Sequence, residues 1–235
     1  MKKGILIKLL NILFFIIAIY VNYLSIVYKI GGKSIRELSD KYENLFTPSN
    51  GTFAIWSLIY LLLLVFLIVQ FSKKHKETPT TNNFYFIASC IFNFSWIIFW
   101  QYEYLILSFL VMIGLLYVLA KINQQILGNQ FHFLKIVFGI YLGWICVATV
   151  ANATALLVSM NPALGIQQEI IITLVILLVA CSIVFYSMNK LSNPYLVVSL
   201  SWAFYGIYLK RATDHPVIAY TALILAILGV GYFVY

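Results

Sequence analysis

Apolar runs long enough to cross a lipid bilayer fill this chain, and they constrain its fold more than any motif does. Of its 235 residues, 63% are hydrophobic and 9% are charged, whereas a soluble domain has roughly half apolar and a quarter charged residues. At about 20 residues per membrane-spanning helix, the chain has room for about eight spans and for no large soluble domain. The sequence therefore predicts an all-α polytopic membrane protein.

Polar stretches and prolines divide the apolar sequence into the predicted spans. The longest polar connection, residues 29–51, follows the first span, and its residues 34–45 are predicted to form a short surface helix. Asn161-Pro162 and Ser192-Asn193-Pro194 end the fifth and sixth spans, because proline interrupts a helix. The eight predicted spans are residues 5–28, 51–71, 84–100, 104–122, 135–158, 169–188, 195–209 and 216–234.

Positive charge is distributed unevenly between the two sides of such a bundle. With eight spans, nine of the fifteen Lys and Arg residues lie on the side of the two termini and six on the other side. Cytoplasmic loops carry the excess of Lys and Arg, so we expect both termini in the cytoplasm. The membrane itself is expected to be a bacterial cell membrane. The net charge of +8 indicates attraction to anionic lipid rather than a nucleic-acid surface.

Residues that carry acid–base or metal chemistry are missing from the middle of the predicted spans. No Asp or Glu lies there, and His75, His132 and His215 fall in predicted loops. Proton relays and metal sites in membranes depend on such ionisable groups, and no Ser or Thr has a base at helical spacing. The three cysteines lie in apolar runs and are predicted to be free thiols. We therefore expect a protein that is not an enzyme and that requires no metal or cofactor.

Neutral polar and aromatic side chains remain in the spans, and they recur at helical spacing. Phe53, Trp56 and Tyr60 share one face of the second span, and Asn93 and Trp96 share a face of the third span with Trp100. A buried Asn needs a partner, since an unsatisfied amide costs roughly 1–3 kcal/mol. That partner is either another helix or a ligand, and the aromatic rows have the alternative role of packing between helices.

The fifth span repeats this combination. Trp144, Ala148 and Asn152 lie on one face, and Gly139 and Gly143 form a GxxxG pair, which allows close helix approach. Three helices thus each offer one tryptophan, and two add an asparagine. Such a set predicts a pocket within the membrane for a flat, mostly apolar molecule with a few polar groups.

In their order and separation these residues resemble the translocator protein family, also called the tryptophan-rich sensory proteins or TspO. The resemblance covers residues 42–161: a proline-containing loop, a Phe, Trp and Tyr opening the second helix, an Asn and Trp in the third, and a Trp, Ala and Asn in the fifth. The residues that carry it are Pro48, Phe53, Trp56, Tyr60, Asn93, Trp96, Trp144, Ala148 and Asn152. The family's usual paired loop prolines are reduced here to Pro48-Ser49-Asn50-Gly51, and the sterol-recognition pattern at the end of the fifth helix is absent.

The resemblance implies a five-helix bundle over residues 1–162, with an additional three-span region at 163–235 packed on it. It implies a ligand pocket formed by Phe53, Trp56, Tyr60, Asn93, Trp96, Trp144, Ala148 and Asn152. Relatives bind porphyrins, are often homodimers, and have sensory, regulatory or tetrapyrrole-handling roles. We therefore expect a membrane receptor or carrier for a porphyrin-like or other hydrophobic small molecule. A transporter of a small solute or lipid is the alternative.

Overall fold

The computed structural model describes residues 2–72, 84–127, 132–160 and 164–234 of the chain. Within these ranges it has nine α-helices and a short 3-10 helix, Asn50–Ala54, that leads directly into the third α-helix. The α-helices are α1 (Lys2–Val27), α2 (Ile35–Lys41), α3 (Ile55–Val69), α4 (Tyr85–Gln101), α5 (Leu105–Gln125), α6 (His132–Ser159), α7 (Ile166–Leu191), α8 (Leu196–Arg211) and α9 (Pro216–Val234).

The eight long helices coincide with the predicted spans to within a few residues. Five of them, α1, α5, α6, α7 and α9, are long and apolar enough to cross a bilayer by themselves, and α3 is long enough together with the 3-10 helix that precedes it, over Asn50–Val69. Helix α4 is apolar but has 17 residues, and α8 has 16. The prediction of a polytopic α-helical membrane protein is therefore confirmed, while the count of eight spans stays a prediction.

Helix α6 is the central helix of the bundle. It packs against α3, α5, α7 and α8, and 72% of its most apolar window is buried, against 22–39% for the other candidate spans. Helix α4 lies between α1 and α5, and α9 packs along α8. The long exposed apolar faces of the outer helices are what a bilayer, rather than water, would cover.

The GxxxG pair of α6 receives the beginning of α8. A Cβ atom added at Gly143 would lie 2.2 Å from the carbonyl oxygen of Leu196, and one at Gly139 would lie 2.7 Å from the side chains of Asn193 and Tyr195. Only glycine permits so close an approach of two backbones. The two glycines therefore act in packing, and they join the amino-terminal helices to the carboxyl-terminal ones.

The histidines and cysteines are placed as follows. His132 begins α6 and hydrogen-bonds Tyr195, so its predicted position in a loop is wrong by one helical turn. His215 precedes α9, and His75 lies outside the described residues. The three cysteines are free thiols, as predicted, with Cys90 and Cys146 buried and Cys181 half-buried.

Residues 28–54, here called the lid, cover one end of the bundle. The lid contains α2, whose first turn is closed by a capping box between Ser34 and Glu37. The predicted short surface helix is thus present but ends at Lys41, because Tyr42 leaves the helical conformation. The lid then runs through a buried stretch, Leu45 to Pro48, to the 3-10 helix.

Candidate functional site

The three tryptophans that the sequence placed on separate helices meet beneath the lid. Trp56 lies in the first turn of α3, Trp96 in the last two turns of α4, and Trp144 in the middle of α6. The ring of Trp56 is stacked on that of Trp96, with centroids 6.0 Å apart, and meets Trp144 edge to face at 6.3 Å. Offset-stacked and edge-to-face pairs are the favoured arrangements of aromatic rings.

The aromatic cluster extends from these indoles toward the lid. Phe53 meets Trp144 edge to face at 6.2 Å. Trp100 stacks on Trp96 at 6.4 Å, and Tyr42 of the lid packs edge to face on Trp100 at 6.4 Å. Helical spacing alone places Trp100 beside Trp96, whereas Tyr42 reaches the cluster only through the path of the lid.

A small cavity of about 60 Å³ lies within this cluster. Ligand sites for drug-sized molecules are typically about 300–1,000 Å³, so the indoles here mostly fill the space between their helices instead of surrounding an open hollow. The cavity is lined by Ile35, Ser39, Tyr42, Asn44, Thr47, Pro48, Phe53, Trp56, Trp96, Trp100, Trp144, Val147, Ala148, Ala151, Asn152 and Ala155.

Two hydrogen-bond donors of the cluster have no partner. The indole N–H groups of Trp96 and Trp144 are buried and make no hydrogen bond within the described part of the chain. The two side chains are 7% and 3% exposed. A buried donor left unsatisfied costs about 1–3 kcal/mol, so a molecule that brought acceptor atoms into the cavity would recover that free energy.

Tyr60 and Asn93 do not line the cavity. Their side chains hydrogen-bond each other between α3 and α4. The Tyr60 hydroxyl donates to Asn93 Oδ1 at 3.2 Å and accepts from Asn22 Nδ2 of α1 at 2.8 Å. Tyr60 still stacks on Trp56 at 5.5 Å. Of the two roles left open for Asn93, the structure shows the hydrogen bond between helices, although its Nδ2 has no partner among the described residues.

Asn152 both hydrogen-bonds a neighbouring helix and lines the cavity. Its Nδ2 donates to Ser108 Oγ of α5 at 3.0 Å, and its side chain also lines the cavity. Ala148 lies one turn before it on the same wall. The structure thus brings together Phe53, Trp56, Trp96, Trp144, Ala148 and Asn152 around one cavity.

One edge of the lid is anchored on Glu103, in the turn between α4 and α5. Its carboxylate accepts hydrogen bonds from Lys33, Lys41 and Tyr42. Glu103 has a φ of 60°, a left-handed conformation that costs a non-glycine residue about 1–2 kcal/mol. Trp100 adds a hydrogen bond from its indole Nε1 to the carbonyl of Ile35 at 3.2 Å.

The carboxylates of Glu103 and of Glu37 in the lid are held ionised by their basic neighbours. The hydrogen bond from Lys41, followed by that from Tyr42, lowers the pKa of Glu103 to about 2. The hydrogen bond from Lys29, with help from Ser34, lowers the pKa of Glu37 to about 2. These ion pairs are partly exposed, so each is worth little by itself, but together they fix α2 over the cluster.

The other edge of the lid is anchored on α8. The Trp202 indole Nε1 donates to the carbonyl of Thr52 at 2.8 Å, and the backbone N–H of Ser49 donates to the carbonyl of Gly206 at 3.0 Å. The guanidinium of Arg211 donates to Glu43 and to the carbonyl of Asn44, both at 2.8 Å. The carboxyl-terminal helices therefore hold the part of the chain that carries Phe53 and Trp56.

A bundle of long apolar helices with a polar, ion-paired lid defines an integral multi-pass membrane protein. The chain belongs to the TSPO-like protein family, whose model matches residues 8–235. The predicted resemblance is thereby confirmed, and the matched range extends beyond the motifs to include α7, α8 and α9. Comparison with curated proteins gave no match, and comparison with solved structures gave none.

Proposed function

We propose that this chain is a non-enzymatic membrane receptor or carrier for a flat, mostly apolar small molecule of the porphyrin type. The observation that carries the proposal is the convergence of Trp56, Trp96 and Trp144 from three helices. Two of their indole N–H groups are buried and have no partner in the described part of the chain. Aromatic faces suit a planar ring system, and the two free donors suit a ligand with acceptor atoms at its edge.

Binding of such a ligand requires a change of conformation. Trp56 occupies the position between Trp96 and Trp144 where a ring would stack, and the remaining space is about 60 Å³. A porphyrin-sized ligand therefore enters only if the lid moves and Trp56 changes its contacts. Trp56 is half-buried and stands directly after the 3-10 helix of the lid, so movement of the lid shifts it.

Binding of protoporphyrin IX to the purified protein in lipid nanodiscs tests the proposal. The titration is followed by the porphyrin Soret absorbance, and the triple variant Trp56→Phe/Trp96→Phe/Trp144→Phe is compared with the wild type. We expect affinity to fall at least about tenfold, which corresponds to the loss of one or two good aromatic or hydrogen-bond contacts.

The control is Tyr220→Phe, which removes the polar group of an exposed aromatic residue of α9 that does not line the cavity. It should bind protoporphyrin like the wild type. Equal affinity of the triple variant and the wild type would show that the tryptophan cluster is not the binding site. Protoporphyrin flux into sealed proteoliposomes, measured with the same proteins, separates a carrier from a receptor.

A further inference from the structure

A second, larger cavity opens beside the tryptophan cluster. This cleft of about 480 Å³ lies between α6, α7 and the lid, within the ~300–1,000 Å³ range of small-molecule sites. Its walls are mainly aliphatic, with polar groups at the lid and at the beginning of α7. The lining consists of Glu43, Asn44, Leu45, Thr154, Leu157, Val158, Leu164, Glu169, Ile172, Thr173 and Ile176.

Residues 43–47 of the lid, here called the strap, separate the cleft from the tryptophan cavity. Asn44 lines both cavities, while Leu45 faces the cleft and Thr47 the tryptophan side. Two hydrogen bonds lie within the strap. The backbone N–H of Asn44 donates to Thr47 Oγ1 at 3.3 Å, and the backbone N–H of Phe46 donates to Asn44 Oδ1 at 3.0 Å. Because Asn44 belongs to the lining of both cavities, displacement of the strap would join them.

Arg211, the last residue of α8, holds the strap in place. Its Nη2 donates to Glu43 Oε1 and to the Asn44 carbonyl, and its Nη1 donates to Asp214 at 3.1 Å. The side chain is 7% exposed, and its Nε–H has no partner in the described residues. Charge-assisted hydrogen bonds are the strong ones, whereas an unpartnered buried donor weakens the arrangement that contains it.

We propose that the cleft is the outer chamber of the ligand site and that Arg211 is the latch on the strap between the two chambers. A planar, mostly apolar ligand with acceptor atoms enters from the cleft, displaces the strap, and places its ring system among the indoles. The proposal rests on the proposed function for its ligand. The latch itself is a property of the lid and α8 and is testable without any ligand.

The first experiment measures how fast protoporphyrin IX quenches tryptophan fluorescence after rapid mixing. Arg211→Gln should associate about tenfold faster, the factor expected when the strap loses a charge-assisted hydrogen bond. The control Arg36→Gln removes the same charge from an exposed residue of α2 that has no hydrogen bond among the described residues, and it should associate like the wild type.

The proposed entry of the ligand through the cleft is tested by a substitution that narrows the cleft. Thr173 is a buried residue of α7 that lines it, and Thr173→Phe should slow association severalfold. Ser182→Phe, at an exposed position of the same helix, should leave association unchanged. If Thr173→Phe associates at the wild-type rate while the wild type binds, the ligand does not pass through the cleft and the two-chamber arrangement is overturned.

The second experiment needs no ligand. Thr47, the last residue of the strap, lines the tryptophan cavity and is 6% exposed. In a chain without Cys90, Cys146 and Cys181, Thr47→Cys places the only thiol on the covered side of the strap. Maleimide labelling should be about tenfold faster with Arg211→Gln than with Arg36→Gln. Native Cys146, buried in α6, serves as the only thiol of a parallel chain to report general unfolding, and its labelling should not change.

The two experiments distinguish failure of the Arg211 latch from failure of the proposed function. Equal labelling of Thr47→Cys in the Arg211→Gln and Arg36→Gln backgrounds overturns the latch, whatever the protein binds. Absence of protoporphyrin binding to the wild type overturns the proposed function, while faster labelling in Arg211→Gln still supports the latch.

Discussion

The indole of Trp202 in α8 donates a hydrogen bond to the carbonyl of Thr52 in the lid, 150 residues earlier in the sequence, at 2.8 Å. This bond joins the carboxyl-terminal helices to the segment that leads into Trp56. It gives Trp202 a structural role beyond contact with lipid, although the side chain is 41% exposed.

Replacing Trp202 should loosen the lid. Trp202→Phe removes the hydrogen bond, so we expect the free energy of unfolding to fall by roughly 0.5–1.5 kcal/mol, measured by denaturant titration in mixed micelles. Tyr205→Phe is the control, because the Tyr205 side chain is similarly exposed on the same helix and its hydroxyl makes no hydrogen bond in the described residues. Equal stability of the two variants would contradict the role of the bond.

The contact between Gly206 and Thr52 should be measurable as an energetic coupling. A Cβ atom at Gly206 would lie 1.9 Å from Thr52 Oγ1, so Gly206→Ala should cost about 1–3 kcal/mol through overpacking. Thr52→Ala removes the clashing hydroxyl. The double variant should therefore be destabilised by less than the sum of the single variants, with a coupling of about 0.5–3 kcal/mol. Strict additivity would show that the two residues do not meet.

A second glycine provides the control for this cycle. Gly231 in α9 has nothing within 4 Å of a Cβ atom, and Ala is the better helix former by up to about 1 kcal/mol. Gly231→Ala should leave the free energy of unfolding unchanged or raise it.

Acid should release the lid from Glu103. The pKa of Glu103 is lowered in the folded protein, from its ordinary 4.5 to about 2, so the ionised group stabilises the lid above about pH 4.5. That contribution is lost as the pH falls from 4.5 to 2. We expect tryptophan emission to shift to longer wavelength over this window, because Tyr42 then leaves the face of Trp100.

The variants Glu103→Gln and Glu37→Gln separate the titration of Glu103 from that of Glu37 in the lid. The emission of Glu103→Gln should already be shifted at neutral pH and should change little between pH 4.5 and 2. Glu37→Gln should keep most of the transition, since Glu37 is an exposed residue of α2 that pairs with Lys29. A transition that disappears in Glu37→Gln and persists in Glu103→Gln would contradict the assignment.

The two buried tryptophans Trp100 and Trp144 should respond differently to loss of the indole N–H. The N–H of Trp100 donates to the Ile35 carbonyl, whereas that of Trp144 has no partner among the residues that the structure describes. Without ligand, Trp100→Phe should therefore lower the free energy of unfolding by about 1 kcal/mol more than Trp144→Phe. The increase in the free energy of unfolding on binding of protoporphyrin IX should be reduced more by Trp144→Phe than by Trp100→Phe, because the Trp144 N–H is free to donate to the ligand.

The spans and the tryptophan-bearing faces could be predicted because both depend on local sequence. Run length determines whether a helix can cross a bilayer, and spacing of three or four residues determines which side chains share a face. Trp96 and Trp100, or Trp144 and Ala148, therefore lie together in any helix that contains them.

The lid and the size of the cavity could not be predicted in the same way. The bond from Arg211 to Glu43 joins residues 168 positions apart, and no local pattern indicates it. The sequence showed that Asn93 needs a partner, but the choice of Tyr60 depends on how α3 and α4 are rotated against each other. The volume left between the indoles depends on the packing of every side chain around them.

The nearly filled space among the indoles has a consequence for any equilibrium measurement on this protein. If only a fraction of the molecules has room for a guest at a given moment, the measured dissociation constant exceeds the intrinsic one by the inverse of that fraction. Substitutions far from the indoles that favour the roomier conformation would then tighten binding without touching the bound molecule. Helix α8, which touches the lid through Trp202, Gly206 and Arg211, is where such substitutions should be found.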